Sequence, residues 1–189
     1  MYFGWFLIIF LLFAVGERAY ARRFSRRAIR GLVKIKWSGV ALDVLHTIIY
    51  VGTGAEYFLF RQNIHWLVTA IGLSLYCVSV IVRHVAIRTL GKFWSLQIEI
   101  RPDHNLVREG IYRYVRHPAY SSIILEVIAI PLTGNSYYTL ALALFAYIPV
   151  LLTRWRREER EMIEKFGKEY VQYRQNVSAL LPLKWLSKS

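Results

Sequence analysis

Apolar residues gather into five runs, and the polar segments between them are either very short or strongly basic. Tyr2–Val15 is uninterrupted and closes at Gly16, Glu17 and Arg18. Trp37–Phe60 is broken only by a few polar positions, among them Asp43, His46 and Glu56, and Ile64–Val82 carries no formal charge. Ala119–Leu132 and Tyr137–Thr153 flank the turn sequence Thr133-Gly134-Asn135-Ser136. Long apolar runs of this kind suit helices crossing an apolar layer, which takes ~20 residues per span. The first run is shorter, and Tyr20 with the stems of Arg18 and Arg22 extends it by snorkelling. The short turn makes the last two runs a helical hairpin. The pattern predicts an all-α, polytopic membrane protein of one domain, 1–189, with about five transmembrane helices: 2–20, 37–60, 64–82, 118–132 and 137–153. Arg61-Gln62-Asn63 is the tight outer turn between the second and third.

Charge supports this layout and gives it a direction. The net charge of +13 on 189 residues could by itself suit nucleic acid or an anionic surface. The positions of the cations decide: residues 18–36, 83–117 and 153–189 hold all the Lys and Arg except Arg61. Cation-rich loops stay on the cytoplasmic side, so the N-terminus is expected outside and the C-terminus inside. Topology thus accounts for the basic balance without nucleic acid. Ala19-Tyr20-Ala21 imitates a signal cleavage site, but no Lys or Arg precedes the apolar run and a basic segment follows it, the order of a span. The single cysteine, Cys77, excludes a disulfide framework and a cysteine-based zinc cluster. No metal is expected.

Candidate chemistry concentrates in the two long polar segments, 83–117 and 154–189. His104–Tyr120 mixes cations, histidines, tyrosines, Gly110 and Pro118. Pro118 forces His117 out of the helical region, so a helix is expected to begin at the proline. Arg116 and His117 then precede a helix N-terminus, which favours an anion, and an arginine adds a bidentate grip. Gly110 permits a positive φ or a close backbone approach. Tyr112, Tyr114 and Tyr120 offer faces to a ring or a cation. Together they suit a nucleotide-like or zwitterionic ligand, although a structural loop with satisfied polar groups would use the same residues. In the second segment, Arg154 and Glu158 share a helix face, with Glu159 beside them. Trp155, Met162, Ile163, Phe166, Tyr170 and Tyr173 recur at helical spacing as an amphipathic inner-leaflet helix, and Gly167 is a natural stop. No G-x-G-x-x-G, P-loop or nucleophile-elbow motif is present.

Taken in order, His104, Leu106, Val107, Gly110, Tyr112, Arg116, His117, Pro118 and Tyr120, then a hairpin, then Glu158, Glu159, Phe166, Gly167, Tyr170, Tyr173 and Pro182, the chain resembles the isoprenylcysteine carboxyl methyltransferase family. That family is related to the phospholipid N-methyltransferases. The resemblance covers about 83–182. It implies a non-Rossmann S-adenosylmethionine site on the cytoplasmic face, built from the 83–120 and 154–182 segments. The implied cofactor-binding residues are His104, Leu106, Val107, Gly110, Tyr112, Arg116, His117, Pro118, Tyr120, Glu158 and Glu159. It also implies a lipophilic acceptor, prenylated or lipid-like, that reaches the site from the bilayer. Arg154 would orient an acceptor carboxylate and Glu158 would hold Arg154; an amine acceptor would need Glu158 or a tyrosine as base.

The three acids within the spans call for an account of their own, because charge inside a membrane is costly. Asp43 and His46 are expected to pair near the inner interface, and Glu56 to lie near the outer one. Glu126, six residues past Tyr120, is expected either to line the acceptor tunnel, where it would repel a carboxylate, or to pair with Asp43 or His46. Two alternatives to a carboxyl methyltransferase follow: an N-methyltransferase acting on a phospholipid or small amine, and a small proton-coupled transporter using Asp43, Glu56 and Glu126.

Overall fold

A computed structural model describes residues 2–27, 32–33, 37–60, 63–91, 99–100 and 106–186. Its main elements are α1 (Tyr2–Arg27), α2 (Trp37–Phe60), α3 (Trp66–Leu90) and α4 (Pro118–Thr133). They are followed by α5 (Tyr137–Leu142), a π-helical turn (Ala143–Tyr147), α6 (Ile148–Phe166), α7 (Lys168–Asn176) and α8 (Leu183–Leu186). Two two-residue strands, β1 (Leu32–Val33) and β2 (Glu99–Ile100), pair antiparallel. The expected all-helical class holds. Among the described residues, three helical stretches are long and apolar enough to cross a membrane: Tyr2–Phe24, Trp66–Leu90 and Tyr137–Phe166. α2 has the length but carries Asp43, His46 and Glu56, and α4 is a shorter apolar helix.

Several helix ends differ from the expected span ends, two of them in the first basic regions. α1 runs on through the first basic residues to Arg27, and α3 continues past Val82 to Leu90, taking Arg83, His84 and Arg88 with it. Charge ends an apolar run without ending a helix, because backbone hydrogen bonding does not depend on side-chain polarity. Arg61 and Gln62 of the expected outer turn, and His104, lie outside the described residues.

α3 and α4 pack closely along their length. The reason is Gly72: a Cβ there would sit 2.5 Å from the Thr133 backbone nitrogen. Small residues let helix backbones approach in this way. The hairpin turn after α4 is buried, and Asn135 takes a positive φ of 54°. Asn135 donates to Thr69 Oγ1 (2.8 Å) and accepts from the His65 amide (2.9 Å), while Ser136 donates to the Thr53 carbonyl (3.0 Å). Glu56 sits at the same end. Its carboxylate accepts from the amides of Tyr138 (3.0 Å) and Thr139 (2.8 Å) and from the Thr139 hydroxyl (2.8 Å). An anion there satisfies the orphan N–H groups that open α5. The apolar core joins Leu7, Ile49, Val127, Ile130, Tyr147 and Leu151 from different helices.

Candidate active site

The first polar segment is organised by its glycine. Gly110 adopts φ 55°, and a Cβ on it would lie 2.9 Å from Thr89 Oγ1 at the end of α3. Both reasons anticipated for a glycine apply, and the close approach is to helix α3. A single 3-10 turn follows (Gly110–Arg113), then Val115 forms an isolated bridge and Arg116 and His117 lead into α4. Pro118 is the first residue of α4, as expected. The chain's later segment runs beside these residues: Val115 and Ser178 form a parallel bridge, and the amides of Arg116 and His117 donate to the carbonyls of Ser178 and Ala179, each at 2.9 Å. Ser121 Oγ donates to the Leu180 carbonyl at 2.5 Å.

α6 is interrupted at Gly167, φ 53°, where α7 turns away. This turn sends Tyr170 and Tyr173 back toward the first segment, and the Tyr173 hydroxyl donates to the Tyr112 carbonyl at 2.5 Å. Around Glu159 four side chains converge. Arg116 donates to both carboxylate oxygens (3.0 and 3.2 Å), His117 Nε2 lies 2.8 Å away and the Tyr170 hydroxyl donates at 2.8 Å. Arg174 Nε is at 3.4 Å. Burial alone would push the Glu159 carboxyl up, but the His117 and Tyr170 hydrogen bonds and the Arg116 charge outweigh it and hold it down at about 2. Burial and the same carboxylate push the Tyr170 hydroxyl up, so it stays a donor.

Glu158 has a different setting. Its side chain is 30% exposed against 8% for Glu159. The Tyr120 hydroxyl donates to it at 2.6 Å, and His117 Nδ1 lies 3.7 Å from its other oxygen. His117 therefore stands between the two carboxylates. Trp155 closes this side, with its ring centroid 6.3 Å from that of His117 and its indole Nε1 buried without a hydrogen-bond partner. Arg154 is buried on the same helix, beside the Tyr120 hydroxyl, and a Cβ on Gly39 of α2 would lie 3.4 Å from its Nη1.

The two segments singled out in the sequence thus meet. Arg116, His117, Pro118, Tyr120, Arg154, Glu158 and Glu159 come together, and Tyr112 is buried beside them. Leu106 and Val107 are half-buried on the approach to Gly110. Arg116 has a role the sequence did not reveal. Besides Glu159, it donates to the carbonyls of Arg174 and Val177 at the end of α7, so its guanidinium clasps the returning segment. The start of α4 also offers an anion little. Pro118 has no N–H, and the Tyr120 and Ser121 amides turn back to the His117 carbonyl at 3.1 and 3.2 Å. Residues 178–180 and the unpartnered Trp155 donor were missed. The F-G-x-x-Y-x-x-Y spacing was the available signal for Tyr170 and Tyr173, whereas nothing local marks Ser178–Leu180 as a strand partner.

Deeper along α4, Glu126 is fully buried; of the two expected partners only His46 is near it, and its closest partners are residues the sequence did not point to. Arg83 Nη1 lies at 2.7 Å, Arg18 Nη1 at 3.1 Å, the Tyr50 hydroxyl at 2.9 Å and His46 Nε2 at 3.6 Å. His46 Nδ1 meets the Tyr147 hydroxyl at 2.9 Å. Asp43 does not join them. It is exposed and pairs with Arg22 at 2.5 Å, so the expected Asp43–His46 pair does not form. The residues are three apart on α2, but His46 turns inward and Asp43 outward. Two arginines cancel the repulsion that Glu126 would exert on an acceptor carboxylate. The three acids invoked for a transporter have separate structural partners: Asp43 an arginine, Glu56 a helix start and Glu126 an ion cluster.

Known proteins are similar to this chain in sequence and fold. The model of the Isoprenylcysteine carboxyl methyltransferase (ICMT) family matches residues 70–164. Uncharacterized protein YpbQ of Bacillus subtilis (strain 168) is 30% identical over 165 residues, 85% of this chain and 96% of that one. Protein-S-isoprenylcysteine O-methyltransferase B of Arabidopsis thaliana is 27% identical over 168 residues, 82% of each chain. Among solved structures, the eukaryotic intramembrane Ras methyltransferase ICMT is similar with a TM-score of 0.63 and 26% identity, over 74% of this chain and 51% of that one. This chain spans about half the length of that protein.

Proposed function

Because the chain belongs to the isoprenylcysteine carboxyl methyltransferase family, a family of methyltransferases, we propose that it is an integral-membrane, S-adenosylmethionine-dependent O-methyltransferase. The acceptor in this reading is lipophilic, prenylated or lipid-like, and enters from the bilayer. The observation that carries the proposal is the convergence of the two polar segments on His117, with Glu158 and Glu159 on its two sides. In this reading the protein has five spans, and the cation distribution of the sequence sets an outward N-terminus and a cytoplasmic site.

The donor set suits this cofactor. Trp155 Nε1 is a buried donor that lacks an acceptor among the described residues, and an orphaned donor of this kind costs about 1–3 kcal/mol unless something accepts from it. Glu158 is the more open carboxylate, suited to the cofactor's ammonium group or ribose hydroxyls. The bound cofactor supplies a methyl group on a sulfonium, ready for in-line displacement. Leu106, Val107 and Tyr112 form the apolar wall, and His104 belongs to the same segment by the family pattern. Glu159 and Arg116 act one step back: they hold His117 and pin the returning segment across it. Pro118 starts the helix that carries Tyr120, and the Tyr120 hydroxyl orients Glu158.

An acceptor carboxylate is already anionic and needs no base. His117 lies between two carboxylates, with Nε2 2.8 Å from Glu159 and Nδ1 3.7 Å from Glu158, and serves in this reading as a link between the two segments. Arg154, buried beside Tyr120, is the cation that would orient the acceptor oxygen. Positioning and exclusion of water would then supply most of the catalysis. The test is calorimetric titration of the purified protein with S-adenosylhomocysteine, in detergent and in nanodiscs, beside Glu158→Ala. Micromolar binding lost in the variant is the expected result. A folded wild-type sample that binds nothing in either medium would remove the cofactor site.

A further inference from the structure

The segment that closes over the candidate site ends in the sequence Leu180-Leu181-Pro182-Leu183-Lys184-Trp185-Leu186. Its first part belongs to the protein interior: Leu180 packs on the core and its carbonyl is bonded to Ser121 in the first turn of α4. The next residues do the opposite. Leu181, Leu183 and Trp185 are 60%, 62% and 51% exposed within five positions. They are held outward by local structure. The Leu183 amide donates to the Leu181 carbonyl (2.8 Å), and the Lys184 amide donates to Ser178 Oγ (2.9 Å). Lys184 Nζ ties the turn to the carbonyls of Arg174 (3.0 Å) and Gln175 (2.8 Å) at the end of α7. The Trp185 ring meets Tyr114, itself exposed, edge-on at 5.4 Å. A fixed cluster of exposed leucines with a tryptophan–tyrosine pair is costly in water, while tryptophan and tyrosine are the aromatic residues favoured at a bilayer surface.

We propose that residues 181–185 form an interfacial strap that inserts into the inner leaflet beside the first turn of α4, with an anionic phospholipid surface as its partner. This rests on reading α4 as a span that begins at the cytoplasmic face. The location follows from the Ser121–Leu180 bond, which sets the strap at the level where α4 enters the membrane. The charge complementarity comes from Arg113, exposed and next in the chain to Tyr114, whose ring meets Trp185 of the strap. The strap is continuous with Ser178 and Ala179, whose carbonyls hold Arg116 and His117. Lipid that holds the strap down therefore also holds the candidate site closed.

The experiment places an environment-sensitive NBD label at Leu183→Cys in a Cys77→Ser background. The protein is reconstituted in phosphatidylcholine–phosphatidylglycerol nanodiscs with doxyl labels high on the acyl chains. A second label at Gln172→Cys, exposed on α7, is the aqueous reference. Quenching on the order of twofold at 183 and none at 172 is expected for a segment lying at acyl-chain depth. Equal, weak quenching at both positions would overturn the strap. A Leu181→Ser, Leu183→Ser, Trp185→Ser variant is expected to bind S-adenosylhomocysteine about tenfold more weakly in the same nanodiscs, an ordinary size for coupling between linked sites. Unchanged affinity would overturn the coupling. Quenching at 183 together with no wild-type binding would keep the strap and remove the cofactor reading, so the two fail separately.

Discussion

Glu158 and Glu159 are neighbours in the chain with opposite surroundings, and their substitutions should separate accordingly. Glu159 is the acceptor for Arg116, His117 and Tyr170 at once. Glu159→Ala leaves buried cationic donors unpaired, which costs about 3–5 kcal/mol, and is expected to lower the melting temperature as well as abolish cofactor binding. Glu158→Gln keeps a polar group against Tyr120 and removes only the charge. It should melt like the wild type and bind S-adenosylhomocysteine about ten- to a hundredfold more weakly, the loss of one charge-assisted hydrogen bond. A Glu158→Gln protein with normal binding would remove that residue from the cofactor site. Glu159 also sets an acid limit. Its folded carboxyl titrates at about 2 against an ordinary 4.5, so its contribution is fully present above pH 4.5 and is lost as the pH falls from there toward 2. Thermal melts across that window should slope more steeply for the wild type than for Glu159→Gln.

Between helices, two glycines carry the contacts that bring the segments into register. Gly110 combines a positive φ with a 2.9 Å limit set by Thr89, so Gly110→Ala is expected to cost about 1–2 kcal/mol in backbone strain alone and to loosen the turn that carries Tyr112. A Cβ at Gly72 would lie 2.5 and 2.9 Å from backbone atoms of Thr133 and Leu132, whereas one at Gly54 would make only a 3.5 Å contact with Leu11. Gly72→Ala should therefore depress the melting temperature far more than Gly54→Ala, although the substitution is the same. Comparable losses at both sites would mean that α3 and α4 do not pack as described. Nothing in the chain's spacing distinguishes these glycines; the difference is the neighbour each one faces. The helices and the hairpin were legible from apolar runs and the turn sequence. Their ends at Arg27 and Leu90 were not, because a helix continues past the point where its surroundings become polar.

Across the bundle, one carboxylate links α1, α2, α3 and α4: Glu126 binds Arg18, Tyr50 and Arg83, with His46 at 3.6 Å, and Tyr147 joins through His46. Glu126→Ala is expected to destabilise the protein by about 3–5 kcal/mol, because it strands the buried Arg83 and the half-buried Arg18. Replacing Glu126, Arg18 and Arg83 together by methionine should recover much of that loss, since the three residues act as a unit. Chemical denaturation of the single and triple variants measures this. Methyl transfer per folded molecule should survive in the triple variant if Glu126 has no part in acceptor binding, and a large rise in the acceptor KM would return it to the tunnel.

Hydrophobic runs, cation placement and the ordered His104–Tyr173 motif were enough to establish a helical membrane protein of this family, because each is a property of neighbouring residues or of their count. They also singled out Arg116, His117, Tyr120, Arg154, Glu158 and Glu159, which do come together. Which partner each of them meets lay beyond such reasoning. Arg18 reaches Glu126 across 108 positions, and Arg116 reaches Glu159 across 43. Asp43 and His46, three apart, face different surroundings. Pairings of this kind depend on the rotation of each helix about its axis and on the depth at which it crosses its neighbours. Those are settled only when Gly72, the buried Asn135 turn and the Gly167 break bring the helices into contact.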